Sequence, residues 1–467
     1  MNANYPASTR QLGGLAIAGL LAGPFLSMVD SNVVNVAIPQ IAQSLHASLA
    51  AVQWTVSGYL LALGTALAAS AFLERRFGSR PVYVFSLATF TLASALCALA
   101  PSLSFLIGAR ILQGLAGAAL VPVAMGMLLG PSSENQRQIP VTAGILLFLA
   151  PAAGPTLGGI LINAFGWPSI FLINIPFGII GVLGALALDQ RTVRPAQAVA
   201  PFDAIGLVVL AAGLGLAVYG SGRGPIDGWL SLSAMPYWAA GLMLLATYVV
   251  WARHRAHPAL RLTLVKNPQA GLALGLSSLA GVVLFAVLFL IPVFLQTVQH
   301  LSAFDAGLVL LPQGAIMGVG MGVTQRLVQR GAIRETTIAG MVVLTVTTAA
   351  MLLIGNQTPV WLIAVILSGR GLALGLIVQP LLARMLNRIR SDELADANTL
   401  FNVGERLSAS FGIALLASVY AVIGFHQTVM LLTLLAGVAT AGSLLVANPN
   451  GSASTDVANV EGHESVA

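Results

Sequence analysis

From residue 12 to residue 446 one apolar run follows another, each close to the length of a bilayer crossing. A helix needs about 20 apolar residues to cross a hydrocarbon core, and every backbone polar group inside that core must be satisfied within the protein. The chain is therefore expected to be an all-α polytopic membrane protein. Composition agrees. Hydrophobic residues make up 57% of the 467 and charged residues 8%, where a soluble domain carries about 25% charged residues. An ordinary soluble enzyme is excluded, and so is a disordered chain, which needs low hydrophobicity and high charge.

The runs fall near 12–42, 49–72, 81–101, 103–130, 139–162 and 168–188, then 203–220 and 235–252, then 269–297, 304–326, 335–355, 358–382, 396–424 and 427–446. That is fourteen crossings. The first is too long for a signal-peptide core and is read as retained. Residues 1–11 form an N-terminal tail, 12–188 a first six-helix bundle, 189–268 a linker with two extra helices, and 269–446 a second six-helix bundle. The polar tail 447–467 is expected to be disordered. Of 21 Lys and Arg residues, 17 fall in loops that share one side if both termini lie there. Basic loops stay cytoplasmic, so both termini are expected inside a cytoplasmic (inner) membrane. The parity is unchanged if the pair 203–252 is removed, so charge alone does not establish those two crossings.

Several chemistries are absent from the sequence. Cys97 is the one cysteine, so no internal disulfide and no cysteine-based metal site is expected. Lys266, the one lysine, lies between Val265 and Asn267, which rules out a Gly-Lys-Ser/Thr phosphate loop. No nucleophile-and-base or metal-binding constellation is found, so neither an enzyme nor a bound metal or cofactor is expected. The net charge of +6 is spread thinly between apolar runs; it reads as topology rather than nucleic-acid binding.

The two six-helix sets echo each other. Arg110 lies in the fourth run, followed by Pro122; Arg370 lies in the corresponding run of the second set, followed by Pro380. Basic turns follow the second run of each set: Glu74, Arg75, Arg76, Gly78 and Arg80 in one, Arg330 and Arg334 in the other. Transporters often carry such repeats, with the substrate site between the halves.

Five segments carry a resemblance. They are MVDSNVVNVAIP from Met28 to Pro39, SAFLERRFGSR from Ser70 to Arg80, RILQGLAG from Arg110 to Gly117, APAAGPTLGG from Ala150 to Gly159 and WPSIFLINIP from Trp167 to Pro176. On these the chain resembles the major facilitator superfamily, and within it the fourteen-span drug:proton antiporters of the EmrB/QacA type. Glu74 stands where that family usually has Asp, Ser70 and Ala150 where it has Gly, and Glu405-Arg406 where it more often has an Arg-Gln pair. The resemblance implies two pseudo-symmetric six-helix bundles plus a two-helix insert. It implies export of lipophilic or cationic drugs driven by a proton gradient, since the family associates the fifth-helix motif with export.

Asp30 is an acid inside a run, at a cost of about 2.5–3.5 kcal/mol on insertion scales. It is a candidate for proton coupling or for contact with a cation; the alternative is a structural carboxylate bonded to Asn32 or Asn35. The resemblance gives Arg110 a part in proton transfer; otherwise it ties two helices together. Glu405 is either a second coupling or cation-binding acid or one member of an ion pair. Gly154, Pro155, Gly158 and Gly159 suit close helix approach and a kink, hence a seal between halves. Glu74 to Arg80, with Gln113, Gly114 and Arg370, complete the candidate conformational switch. Met28, Phe25, Trp54, Tyr59, Phe148 and Phe289 are candidate substrate contacts, since apolar linings suit lipophilic ligands. His300 and Asp305 read as loop residues. The expected partners are small lipophilic or cationic substrates, protons and membrane lipid, the expected state a monomer. An adaptor protein is left open. A dedicated exporter of one compound, a proton-driven importer and a non-transporting scaffold or sensor remain as alternatives.

Overall fold

A computed structural model describes residues 14–129, 154–188, 201–387, 389–390 and 393–446. Among them, helices account for every crossing. They are α1 (Gly14–Ser44), α2 (Leu49–Phe77), α3 (Ser79–Ala98), α4 (Leu103–Leu128), α5 (154–165) and α6 (Ser169–Leu186). Next come α7 (Ala204–Asp227), α8 (Met235–Arg253), α9 (Pro268–Thr297), α10 (Ala303–Gln329), α11 (Ile333–Leu353), α12 (Val360–Leu386) and α13 (Leu394–Ser443). Twelve of these helices are long and apolar enough to cross a membrane; the protein is a multi-pass membrane protein. Both α7 and α8, which charge could not establish, are among the twelve.

The expected count of fourteen is met only in part. Most of the expected crossing 139–162 lies outside the described residues, and α5 is the described part of that region. The last two expected crossings form one element of 50 residues. At about 1.5 Å per residue that is far longer than a bilayer core is thick, and Gly424 breaks it with φ 79° and ψ −174°. The chain turns back there. Gly404 faces Leu274 before the break and Gly442 faces Leu276 after it, so both limbs pass the same level of α9. A side chain at this positive φ and extended ψ, a region open essentially to glycine alone, costs about 1–3 kcal/mol. Gly424→Ala is therefore expected to lower the thermal unfolding midpoint in detergent, whereas Gly437→Ala, where an added Cβ meets open space, is not.

Local sequence sets the other ends. Side chains of Ser102, Asp203, Asn267 and Ser302 accept backbone N–H bonds at the starts of α4, α7, α9 and α10, as N-caps do. Asp305 lies in the first turn of α10, not in the preceding loop, because the Ser302 cap starts the helix before it. The linker is tied to α13 through Arg261, which pairs with Glu393 at 3.1 Å and Asp396 at 3.3 Å. Arg390, hydrogen-bonded to Glu393, and Arg261 beside it hold that carboxyl below its ordinary range. This tie is therefore expected to persist at neutral pH and to loosen only as the pH falls through that lowered range.

Neighbour relations repeat between the two sets. In the first, α2 packs on α4, α3 on α4 and α6, and α1 on α6; in the second, α10 packs on α12, α11 on α12 and α13, and α9 on α13. Small residues bring the backbones together, as between Gly19 and Gly184 and between Gly320 and Gly375. Helix α7 lies against both α2 and α13, with Trp54 and Tyr219 rings 5.8 Å apart.

Candidate functional site

Asp30 is fully buried halfway along α1. Its Oδ2 accepts a bond from Arg110 Nη1 at 2.5 Å. Its Oδ1 accepts from Gln113 Nε2 and from Asn174 Nδ2, each at 3.1 Å. Arg110 is also fully buried. It donates from Nε to the Thr55 carbonyl at 2.9 Å and from Nη1 to Gln113 Oε1 at 2.7 Å. Its guanidinium lies 4.1 Å from the Tyr59 ring centre, a cation–π distance. Ser94 Oγ accepts from Gln113 at 2.9 Å and from Asn174 at 2.7 Å. Cys97 Sγ donates to Gln113 Oε1 at 3.6 Å. One polar knot thus joins α1, α2, α3, α4 and α6 inside an apolar core. A buried ion pair persists only when its remaining hydrogen-bonding sites are filled, and here the carboxylate accepts three donors.

The expected partners Asn32 and Asn35 are not the ones used. Asn32 donates to the carbonyl of Met28 one turn back, and Asn35 leaves its Oδ1 unpartnered. Asn174, Ser94 and Thr55 were missed. Asn174 could have been flagged, since it stands inside the segment Trp167 to Pro176 as a polar residue in an apolar run. Ser94 and Thr55 carry no signal, because serine and threonine are ordinary in membrane helices and Thr55 serves through its carbonyl.

Arg370 does not reproduce this arrangement. It is fully buried and donates to Thr348 Oγ1 at 2.6 Å and the Val283 carbonyl at 3.0 Å. Its Nε has no partner, and no carboxylate among the described residues pairs with it. The echo in sequence is an echo in position alone.

Glu405 is half-buried. Gly404, Ser408 and Gly412 of α13 meet α9, and Arg406 lies near Gly64 of α2. Ser410 donates to the Ser57 carbonyl of α2 at 2.9 Å. At 3.6 residues per turn, Asn398, Asn402 and Glu405 share the face left between α9 and α2, where the two helix sets meet.

The α5 glycines serve two faces rather than one. A Cβ at Gly154 would come 3.1 Å from that of Asn32, and one at Gly158 would come 2.7 Å from Val33, both on α1. Pro155 and Gly159 instead face α10: the Pro155 carbonyl lies against Gly307, and a Cβ at Gly159 would lie 2.5 Å from the Ala303 carbonyl oxygen. A helix wedged between two others needs small residues on opposite sides. Among the described residues, hydrogen bonds at three places join helices of the first set to the second. They are Thr156 Oγ1 to Gly307 O at 3.0 Å, Gln296 Nε2 to Val36 O at 2.9 Å, and Ser410 to Ser57. Each lies in the half of the molecule away from the arginine-rich loops.

The remaining expected residues are scattered. Glu74 accepts from Ser79 at 2.8 Å, within its own set, and Arg80 donates to the Leu186 carbonyl. Arg75 and Arg76 are exposed. Gly114 packs on the Tyr59 backbone and Ala62. Among the substrate candidates, Tyr59 and Phe289 are buried, the Phe25 ring lies tilted against Phe177, the Trp54 ring lies tilted against Tyr219, and Met28 is half-buried. Phe148 lies outside the described residues. None of those described lines the apolar cavity bounded by Leu73, Phe77, Phe85 and Leu112; aromatic residues in a chain this apolar serve packing first.

Known proteins share this architecture. The chain aligns over 423 residues at 30% identity with the Multidrug resistance protein B homolog of Mycobacterium tuberculosis (strain ATCC 25618 / H37Rv), covering 89% of this chain and 77% of that protein. It aligns at 30% identity with the Methylenomycin A resistance protein of Bacillus subtilis (strain 168), covering 87% and 88%. A crystal structure of a POT family transporter in complex with 5-aminolevulinic acid superposes with a TM-score of 0.64 at 11% identity, over 93% of this chain and 95% of that one. The Major Facilitator Superfamily model matches residues 20–413. A buried acid–guanidinium knot in a repeated helical fold, together with that match, makes the chain a member of the Major Facilitator Superfamily, a family of transporters.

Proposed function

We propose that the protein is a proton-coupled antiporter that exports lipophilic or cationic compounds across the cytoplasmic membrane. The observation that carries this is Asp30, an ionisable acid buried in a crossing helix and paired with Arg110. Intramembrane acids at such positions serve proton relays. The resistance names of the two relatives support the direction and the substrate class. On this reading the chain crosses fourteen times, with 139–162 as the fifth crossing and Gly424 dividing the last two. Both termini are cytoplasmic, and residues 12–188 and 269–446 move as two bundles around the insert.

The contacts away from the arginine loops then close the outer side, and the molecule faces inward. Substrate enters between the bundles and the halves rock. Asp30 takes a proton from outside, which removes the charge that answers Arg110, and the proton is released inside. Substrate and proton bias one conformational equilibrium, so each alters the other's binding. Glu405, on the face between α9 and α2, supplies the charge that meets a cationic substrate. Gly154, Pro155, Gly158 and Gly159 form the outer seal, and the Glu74 to Arg80 turn the inner latch. No cofactor takes part beyond the gradient.

Ethidium efflux from proteoliposomes under an imposed proton gradient tests the reading. Movement that follows the gradient and reverses with its sign supports it. Net accumulation without a gradient, or movement in the same direction as protons, sinks it. A narrower reading, a dedicated exporter of one compound, is favoured by the second relative's name; a panel in which a single compound moves would establish it. Glu405→Gln is expected to weaken export of a cationic dye several-fold, the roughly 1 kcal/mol of a half-exposed ion pair, and to spare a neutral substrate. Equal loss for both would remove Glu405 from cation recognition.

A further inference from the structure

Among the described residues, each side chain that bonds to the Asp30 carboxyl is a donor. Oδ2 meets Arg110 Nη1, and Oδ1 meets Gln113 Nε2 and Asn174 Nδ2. An ionised carboxylate only accepts, whereas a carboxylic acid carries one O–H that must donate. The knot as it stands suits ionised Asp30 alone. When the acid takes a proton, its O–H finds no acceptor among these neighbours unless one of them turns.

Two of the three neighbours cannot turn. Arg110 has no acceptor atom. Gln113 is held by its own oxygen, which accepts from Arg110 Nη1 at 2.7 Å and from Cys97 at 3.6 Å. Reversing it would set an NH2 group against a guanidinium N–H. Asn174 is different. Its Nδ2 alone touches both Asp30 Oδ1 and Ser94 Oγ, so a half-turn of the amide presents Oδ1 to both at once. Ser94 can follow, because its hydroxyl accepts from Gln113 at 2.9 Å and keeps one O–H free to aim at that oxygen. After the turn the protonated acid has an acceptor, and Ser94 keeps its bonds to both Gln113 and Asn174.

We propose that Asn174, with Ser94, is the positioning residue that reads the protonation state of Asp30. This rests on the reading of Asp30 as the proton site. The proton comes from water on the open side and binds Oδ1, since Oδ2 lies against the guanidinium. The Asn174 N–H to Oδ1 bond is exchanged for an Asp30 O–H to Asn174 Oδ1 bond, and no covalent bond other than the O–H forms. Asn174 opens the long segment of α6, Asn174–Leu186, and α6 packs on α1 and α3. The turn therefore changes how three helices are tied at one point. The other titratable groups around Asp30 are Arg110 on α4, Tyr59 on α2 under the guanidinium, and Cys97 on α3. The described parts of α5, α6 and α9 carry none.

The test is the pH profile of gradient-driven ethidium efflux. Asn174→Leu removes one donor from the ionised acid and the acceptor from the protonated one. The donor acts on a charge and is the stronger bond, so the midpoint is expected to move up by about one pH unit. Asn174→Ser, which can donate and accept, is expected to return it toward wild type. A lower rate with an unmoved midpoint in Asn174→Leu would overturn the proposal, because a packing role predicts that result. If neither variant folds, infrared difference spectra of the wild type decide. The Asp30 carboxylic C=O band, identified by its loss in Asp30→Asn, should titrate together with an isotope-marked asparagine amide band. An amide band that does not move overturns the proposal. If Asp30→Asn itself keeps full proton-driven efflux, the failure lies in the reading of Asp30 instead.

Discussion

Asp30→Asn is expected to lower gradient-driven ethidium efflux on the order of 100-fold or more, while gradient-free exchange of ethidium across the membrane persists. Breaking one side of a buried pair costs about 3–5 kcal/mol, and the charge left behind is Arg110, with no exposed surface. Asparagine also copies the protonated acid: it presents one acceptor and an NH2 group that must donate. The variant is thus held in the protonated-like state. It can rock with substrate, but it has no proton to exchange and cannot be driven. Proteoliposomes give both numbers, efflux under a gradient and exchange of labelled against unlabelled dye at equilibrium. Loss of both would mean that the variant is simply misassembled, and survival of both would remove Asp30 from coupling.

Gly159→Leu is expected to abolish transport by holding the outer side open. Helices α5 and α10 meet there through backbone: a Cβ at Gly159 would come 2.5 Å from the Ala303 carbonyl oxygen and 2.8 Å from Phe304 Cα. No rotamer relieves a clash between a Cβ and a backbone, so the two helices must separate, and with them the bond from Thr156 to Gly307. Gly275→Leu on α9 is the control, because a Cβ there meets nothing within 4 Å. The measurement is transport together with thiol labelling of Ala303→Cys from outside. Labelling that rises as transport falls supports a seal. Unchanged labelling with lost transport would mean that Gly159 serves packing and nothing more.

The helices themselves were legible because their cause is local. A run such as Leu60 to Leu73 is overwhelmingly apolar and carries no charge, and the hydrocarbon core leaves such a run one stable form. Asp30 and Arg110 could be singled out for the same reason, since a charge inside an apolar run must be answered by something. What answers it was not legible. Asp30 is bonded to Gln113 and Asn174, which lie 83 and 144 residues away, and helix order along the chain does not say which faces meet. Arg370 makes the point from the other side. By sequence it is the twin of Arg110, yet its partners are a threonine hydroxyl and a carbonyl.

The sequence alone determined that this chain is a stack of membrane helices and which few residues carry charge into the apolar interior. Those follow from transfer free energies paid residue by residue. Only the tertiary structure decided that, among the described residues, one of two matching arginines meets a carboxylate and the other does not, that the α5 glycines serve two opposite neighbours, and that Asn174 bonds to Asp30. Those depend on the directions in which side chains leave distant helices, and no single segment contains them.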